Sequence, residues 1–479
     1  MTSGDTCSTP APHRAASDAD LGRAAHEPVV RTLLEPRSVA VVGASNDLRK
    51  PGARVLRNIV THGYEGEVFP VSQGSEIVQG LPAYTSVTAL PRTPDVAIVA
   101  IPIAGAVAVT EECARRGVRA VVLISADPPG SDDHHDALAR VRERYPGTRI
   151  LGASSLGVHG GHARFAGNFG TATEGEFDFV PSDVFILSQS GGVGGYVLSA
   201  AHASGLKIGG YISTGREVDL TFAELLTKTV DEYAPRLVLG YLEGTQDLAA
   251  FSSALQYARQ RDVVVVLLRG GVTGAGRSAA RRHSGLEPFD DESWRAAVDG
   301  AGALTARSIE EMLDIARAAA SRRCRKDARF SVVAASGGAT VLMVDALAQE
   351  GFGLARWQDS DKAELRRLLP EQAVLDNPID ATGAIFSRRH TLRSVLEVCV
   401  RHDGTDAVIL TLGNMPHLDE HVFAEISAIA SEVGKLVVVV WAGGSPDAVR
   451  RLAGLGVLAF SDAARCAYAL RRAADIGPA

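Results

Sequence analysis

The feature that most restricts this chain is a pattern that recurs from residue 38 almost to its end. Short β-branched apolar runs close on glycine or a small polar residue, and a stretch with helical spacing follows each. The runs are SVAVVGAS, GEVFPVS, DVAIVAIP, RAVVLISA, RILGASSLG, DVFILSQSGG, IGGYISTG, RLVLGYLEG, VVVVLLRGG, FSVVAASGG, DAVILTLGN and KLVVVVWAGG. They are apolar throughout rather than alternating, which suits parallel strands covered by helices on both faces. Intervening segments such as VTEECARRGV and SIEEMLDIARAAASRR place good helix formers at helical spacing. The pattern predicts an α/β chain of consecutive doubly wound domains.

With 479 residues, the chain is too long for one hydrophobic core and points to about three domains. Two stretches of weak periodicity divide it, GNFGTATEGEFDFVPSD at 167–183 and RRCRKDARF at 322–330. The expected organisation is 29–165, 170–325 and 326–479, after a leader at 1–28. The leader's Ser/Thr/Pro/Ala/Asp composition predicts disorder, and it lacks the apolar core of a secretory signal. Lys and Arg number 49 against 56 Asp and Glu, a net charge of −7, so no basic surface invites nucleic acid. No run approaches the roughly 20 apolar residues of a membrane span, and a cytoplasmic location is expected. Five scattered cysteines (Cys7, Cys113, Cys324, Cys399, Cys466) form no CxxC pair. Neither a disulfide framework nor a zinc knuckle is indicated, and no metal ligands are assigned.

Three glycine-rich turns carry the chemistry. In SVAVVGASNDLRKPGARVLRNIVTHG, a strand ends in the turn Gly43-Ala44-Ser45 and a helix begins near Gly52. Such a turn aims amide groups and a helix N-terminus at an anion. It lacks full GxGxxG spacing, and the acid that would hold an NAD ribose is missing after the second strand, where Ser72 follows EVFPV. A phosphate-bearing ligand without that ribose contact is therefore preferred to a nicotinamide dinucleotide. SQSGG at 188–192 and SGG at 336–338 also follow apolar runs; each is an anion-binding helix start or a plain connection. Finally, GRSAARRHSGLEP follows a buried-looking strand and sets His283 in what reads as a flexible small-residue loop. A lone loop histidine is an ordinary surface residue unless its context says otherwise.

The context is a resemblance. LLEPRSVAVVGAS, GYEGEVFPV and LPRTPDVAIVAIP, followed in order by ILSQSGGVGG, YISTGREVDL, YLEG, the histidine loop, SGGATVLMVDALAQEGFGL and LLPEQAVLDNPIDATG, resemble the NDP-forming acyl-CoA synthetases, the superfamily of succinyl-CoA synthetase. The resemblance covers nearly everything after residue 30. It implies a Rossmann-like CoA-binding domain followed by two flavodoxin-like domains, and an acid–CoA ligase working through acyl phosphate and phosphohistidine intermediates. It implies that His283 carries the phosphoryl group and that Glu243 of YLEG orients its imidazole. It places CoA against Gly43, Ala44, Ser45, Val71, Ser72, Ile101 and Pro102. It gives phosphate to two facing helix starts, Ser190-Gly191-Gly192 and Ser336-Gly337-Gly338. A mobile carrier suits a reaction whose sites are apart.

Departures from the family pattern accompany these matches. Val71-Ser72-Gln73-Gly74 stands where Val-Asn-Pro-Lys is usual, losing a lysine expected near CoA phosphates. Gly152-Ala153-Ser154-Ser155 replaces Gly-Pro-Asn-Cys, and Ser125-Ala126-Asp127-Pro128 replaces Ser-Ala-Gly-Phe. Arg216 stands for Asn before Glu, and Arg282 for a small residue before His283. No further ~200 residues remain for an ATP-grasp module, so the chain resembles an α subunit, with ATP/ADP and Mg2+ expected on a partner β subunit in an oligomer. A non-catalytic CoA or acyl-CoA sensor of the same fold stays open at this point. A nicotinamide oxidoreductase would need an acid in place of Ser72. No motif singles out one carboxylic acid; aromatics at 5% advertise no aryl pocket.

Overall fold

The computed structural model describes residues 28–126, 133–175, 177–386, 390–413, 420–444 and 446–476. The expected leader (apart from residue 28) and the Asp127-Pro128 turn lie outside them. Three parallel-rich sheets follow one another along the chain. In the first, β1 (Ser38–Val42) and β2 (Glu67–Val71) are followed by a small hairpin of β3 (Ile77–Val78) and β4 (Leu81–Pro82), then β5 (Val96–Val99), β6 (Ala120–Leu123) and β7 (Arg149–Leu151). The sheet order is β2-β1-β5-β6-β7, parallel throughout. The order reverses between β1 and β5, which opens a crevice at their C-terminal ends.

The second sheet holds β8 (Val158–Gly160), β9 (Val184–Ser188), β10 (Gly210–Ser213), β11 (Leu237–Leu242), β12 (Val264–Arg269) and β13 (Leu304–Ala306), ordered β13-β12-β11-β9-β10-β8. The edge strand β8 pairs antiparallel with β10. The second sheet thus draws on chain that precedes residue 165, because the run read as one strand at 149–157 yields only β7 before the backbone crosses over. Three residues, Val-His-Gly, are too few to show a strand pattern.

The third sheet holds β14 (Arg329–Ala334), β15 (Gly353–Leu354), β16 (Ile379–Asp380), β17 (Ala407–Leu412), β18 (Leu436–Trp441) and β19 (Leu458–Phe460), in the order β15-β14-β17-β18-β19 with β16 beside β14. The inner strands β9, β17 and β18 are buried along their whole length, as their uninterrupted apolar runs require.

The cores join the sheets. One apolar cluster runs from Val41 and Ile98 of the first sheet to Phe185 and Ile212 of the second. Another joins Ile186 and Val266 to Val332 and Val438 of the third. Helices Ile309–Ser321 and Ala463–Ile476 pack together between the second and third sheets. Polar contacts bind the first two as well. Arg149 donates to Asp219 at 2.9 Å and to Glu224 at 2.8 Å, and the amides of Arg216, Val218 and Leu220 bond to the carbonyls of Ala153, Gly152 and Ile150. Residues 216–220 are thereby laid along the C-terminal end of β7.

Candidate active site

His283 does not sit in a loop. Helix Gly274–Ser284 carries it in its last turn. Thr273 caps the start by accepting from the Gly276 amide, and Gly285, with φ of 73°, ends it in the left-handed conformation that glycine adopts most readily. Ala275, Ala279 and Ala280 with the arginines are good helix formers, and two caps hold a helix that Gly276 and Ser278 would weaken. The imidazole Nδ1 lies 3.1 and 3.0 Å from the two carboxylate oxygens of Glu243. A carboxylate accepts only, so Nδ1 carries the hydrogen, and in the neutral ring the lone pair is then on Nε2. The imidazole is 63% exposed while the Glu243 side chain is 7% exposed.

Glu243 follows β11 and is fixed from several sides. The Tyr241 hydroxyl donates to its Oε1 at 3.1 Å. Its own amide, and that of Gly244, donate to the Gln189 side-chain oxygen at 2.7 and 3.3 Å. The Gln189 amide group donates in turn to the Gly244 carbonyl at 2.8 Å and to Glu217 at 2.9 Å. Glu217 also accepts from the Thr214 hydroxyl and the Phe222 amide, at 2.9 and 3.2 Å. Burial pushes the Glu217 carboxyl up to about 7. The carboxylate beside His283 is therefore held by a chain of buried polar groups that spans β9, β11 and the 214–222 segment.

His283 opens onto a cleft of about 860 Å³ lined by Ser190, Gly191, Gly192, Arg216, Arg282 and the first-domain residues Ala126 and Ser154, among others. Helix Gly191–Ala203 starts at this wall, capped by Ser190, whose side chain accepts from the Val193 amide. The first amides of a helix have no intrahelical acceptor, so Gly191 and Gly192 present positive ends to the cleft. Gly191 is required there: a Cβ would lie 2.7 Å from that of Leu156. The Arg216 guanidinium packs against Gly285, two residues from His283, and a Cβ at Gly285 would meet it at 2.7 Å. The cleft can thus hold an anion next to a nucleophilic nitrogen, with the C-terminal edge of the first sheet on its far side.

The crevice of the first sheet is built by the turn at Gly43, with two differences from expectation. The amides of Gly43 and Ala44 do not point at an empty site; both donate to the Val71 carbonyl, at 3.0 and 3.1 Å. Ser72 likewise donates its amide to Tyr84. The turn is packed to the limit, since a Cβ on Gly52 would sit 2.2 Å from the Gly43 carbonyl and one on Gly43 2.6 Å from that of Ala100. Ile101 and Pro102 form the opposite lip, where Ser125 donates its hydroxyl to the Ile101 carbonyl at 2.5 Å. Ser45 accepts from the Asp47 amide. The cations at this crevice are Arg49, paired with Asp47, and Lys50, exposed at the start of helix Pro51–Thr61 and in no salt bridge among the described residues. These residues fit a phosphate-bearing ligand through Lys50 and the helix start rather than through the Gly43 and Ala44 amides.

The structure does not bring the other glycine turn to His283. Ser336, Gly337 and Gly338 open helix Gly337–Gln349 on the third sheet and are absent from the described lining of the cleft. A Cβ on Gly337 would lie 3.0 Å from an Asp380 carboxylate oxygen, whereas one on Gly338 would meet nothing within 4 Å, so this turn is exposed, with an acid beside its first glycine. Gln189, Tyr241 and Glu217 were not singled out from sequence. Gln189 and Glu217 lie within SQSGG and GREVDL, and the signal was a polar side chain flanked by buried apolar runs.

Residues 37–161 match the CoA binding domain family and residues 181–319 the succinyl-CoA ligase like flavodoxin domain family. The chain is 31% identical over 349 residues to the alpha subunit of acetate–CoA ligase [ADP-forming] II from Pyrococcus furiosus, covering 72% of this chain and 74% of that one. It is 26% identical to the acetate–CoA ligase [ADP-forming] of Methanocaldococcus jannaschii, and the matched region spans 48% of that longer protein. Among solved structures, the dinucleotide-forming acetyl-coenzyme A synthetase 1 of Ca. Korarchaeum cryptofilum, in complex with phosphate and ADP, superposes with a TM-score of 0.83 at 25% identity, over 94% of this chain and 97% of that one. No helix among the described residues is long and apolar enough to cross a membrane. The sheet order, the paired histidine and carboxylate and these matches agree, and the chain belongs to the NDP-forming acyl-CoA synthetase family of acid–CoA ligases.

Proposed function

We propose that this chain is the CoA-binding, phosphohistidine-bearing subunit of a split acid–CoA ligase whose nucleotide is held by a separate ATP-grasp chain with Mg2+. The observation that carries the reading is the cleft lined by both His283 and the Gly191–Gly192 helix start, with Glu243 holding Nδ1 of the imidazole. In the synthetic direction, His283 takes the γ-phosphoryl group of ATP on the partner: an N–P bond forms and ADP leaves. A carboxylate oxygen of the acid then attacks phosphorus, the N–P bond breaks, and acyl phosphate forms. The CoA thiolate attacks the acyl carbon, the C–O bond to phosphate breaks, and acyl-CoA and phosphate are released.

Within this sequence the chain's own groups have separable tasks. Glu243 keeps the hydrogen on Nδ1, so that Nε2 stays nucleophilic and positive charge on the phosphorylated ring is compensated. The amides of Gly191 and Gly192, with Arg216 and Arg282, take the phosphoryl charge. The crevice between β1 and β5 opens at the same edge of the first sheet as the cleft walls Ala126 and Ser154, and there CoA would bring its thiol toward the cleft. That the matched region spans about half of the longer Methanocaldococcus relative supports a partner chain.

Reconstitution tests the reading. The pure chain with ATP, acid and CoA should form no thioester, and adding an ATP-grasp β subunit should start ADP release that depends on both acid and CoA. Robust thioester formation by the pure chain would overturn the split arrangement.

A further inference from the structure

The third domain holds a second cluster of chemistry-bearing side chains, remote in sequence and outside the cleft. His421 and Glu425 stand four residues apart on helix Glu420–Glu432 and so share one face. His390 precedes helix Thr391–Arg401 with φ of 66°, in the left-handed region that non-glycine residues seldom occupy. Its amide donates to Glu425 Oε1 at 3.1 Å, which fixes the turn. Both imidazoles then reach one carboxylate oxygen: Nδ1 of His390 lies 3.0 Å and Nε2 of His421 2.9 Å from Glu425 Oε1. The rings stand edge to face at 5.3 Å, and the three donor atoms lie within 4.8 Å of one another.

We infer that His390, His421 and Glu425 form a binding site for a first-row divalent cation of the zinc type. Three observations carry it. The donor set, two imidazoles and a carboxylate, is one that zinc and its neighbours accept. Ligands about 2.0–2.1 Å from one tetrahedral ion stand about 3.3 Å apart, a few tenths of an ångström beyond the two separations to Oε1. The Glu425 side chain is 7% exposed, and its ion-pair partners among the described residues are these two imidazoles, neither a permanent cation. A buried carboxylate without such a partner is costly, and a divalent ion would neutralise it. The His390 side chain is 65% exposed, which leaves an entry path and room for water ligands. The cluster follows β16 and β17, at the C-terminal edge of the third sheet, where α/β folds place ligands. An ion there would tie the start of helix Thr391–Arg401 to helix Glu420–Glu432. The 31-residue gap between the histidines explains why spacing alone assigned no metal.

The test uses the full chain, stripped with a chelator and titrated with Co2+, then with Zn2+ in competition. The site predicts a visible absorption band that saturates at one Co2+ per chain and is displaced by Zn2+. His390→Ala, an exposed position, should leave the melting temperature of the metal-free protein unchanged and weaken Zn2+ binding by about 100-fold or more. Glu425→Gln should lose the band even if it melts earlier. Bound Zn2+ equal in the wild type and in the His390→Ala/His421→Ala double variant would overturn the assignment.

Discussion

Glu243 occupies one nitrogen of His283 and leaves the other to the cleft, and the Glu243 carboxylate is itself placed by Gln189 and Tyr241. Glu243→Gln is nearly isosteric, so it should leave the melt almost unchanged while lowering kcat about 10–100-fold, the scale expected for a partner that orients a catalytic group. Steady-state assays with the partner chain, set beside melts, check this. Glu217 gives a pH signature. Its folded value near 7 lies above the ordinary carboxyl value of 4.5, so the folded state keeps a proton that the unfolded chain releases. Stability from this group is full below pH 4.5 and falls as pH rises toward 7, by about 3 kcal/mol in all. Denaturant melts of Glu217→Gln should lack that decline. At this scale sequence was a good guide to chemistry and a poor one to support. The pairing of His283 with Glu243 was legible because the resemblance carries those two residue types, and the structure brings them within 3.0 Å. Gln189 acts through contacts made only when β9 and β11 lie side by side, and Tyr241 through a hydroxyl bond two residues along the chain that no motif marks.

Elements show which short features the fold depends on. Gly52 lets helix Pro51–Thr61 start against the Gly43 carbonyl, and Gly52→Ala would force a Cβ to 2.2 Å from it. Overpacking of this kind costs about 1–3 kcal/mol and should weaken CoA binding as well, whereas Gly74→Ala, which meets nothing within 4 Å, should do neither. Calorimetry of the two variants separates them. Strand β8 contributes a different sensitivity. His159 is fully buried beside Phe177 and Phe179, and burial lowers its value to about 3. The unfolded chain gains a proton below about 6.5 that the fold refuses, so stability is full above that pH and drops by about 1.4 kcal/mol per unit toward pH 3. His159→Phe should flatten the acid limb of the melting curve. The long strands were legible from their unbroken apolar runs. β8 was not, since three residues carry no periodicity, and the His283 helix was misread because small residues serve helices and loops alike.

Across the whole molecule, one apolar cluster joins the first sheet to the second and another joins the second to the third, and Arg149 bridges the first two. The Asp219 side chain is only 6% exposed and takes hydrogen bonds from both Arg149 and Arg142. Arg149→Ala leaves Asp219 to Arg142 and the Ile150 amide and should cost about 1–3 kcal/mol, loosening the wall between the crevice and the His283 cleft. The doubly wound architecture was readable from order alone, strand after strand with a helix between. How the sheets meet was not, because the Asp219–Arg149 bridge joins positions 70 residues apart. Ligand preference is a property of the same scale. CoA at 100 times its dissociation constant should stabilise the chain by about 2.7 kcal/mol, and NAD should not, since Ser72 follows β2 where the ribose-binding acid would stand. A melting shift with NAD and none with CoA would remove the first-domain assignment.

The central claim is that His283 carries phosphate between sites that do not touch. Incubating the chain with a 32P-labelled acyl phosphate, then measuring protein-bound label after acid and after alkali, tests it most directly. The account predicts label that survives alkali, is lost in acid and maps to His283, with none on His283→Ala although that variant still binds CoA. A His283→Ala protein that retains the label, or that forms thioester at the full rate with its partner chain, would contradict it.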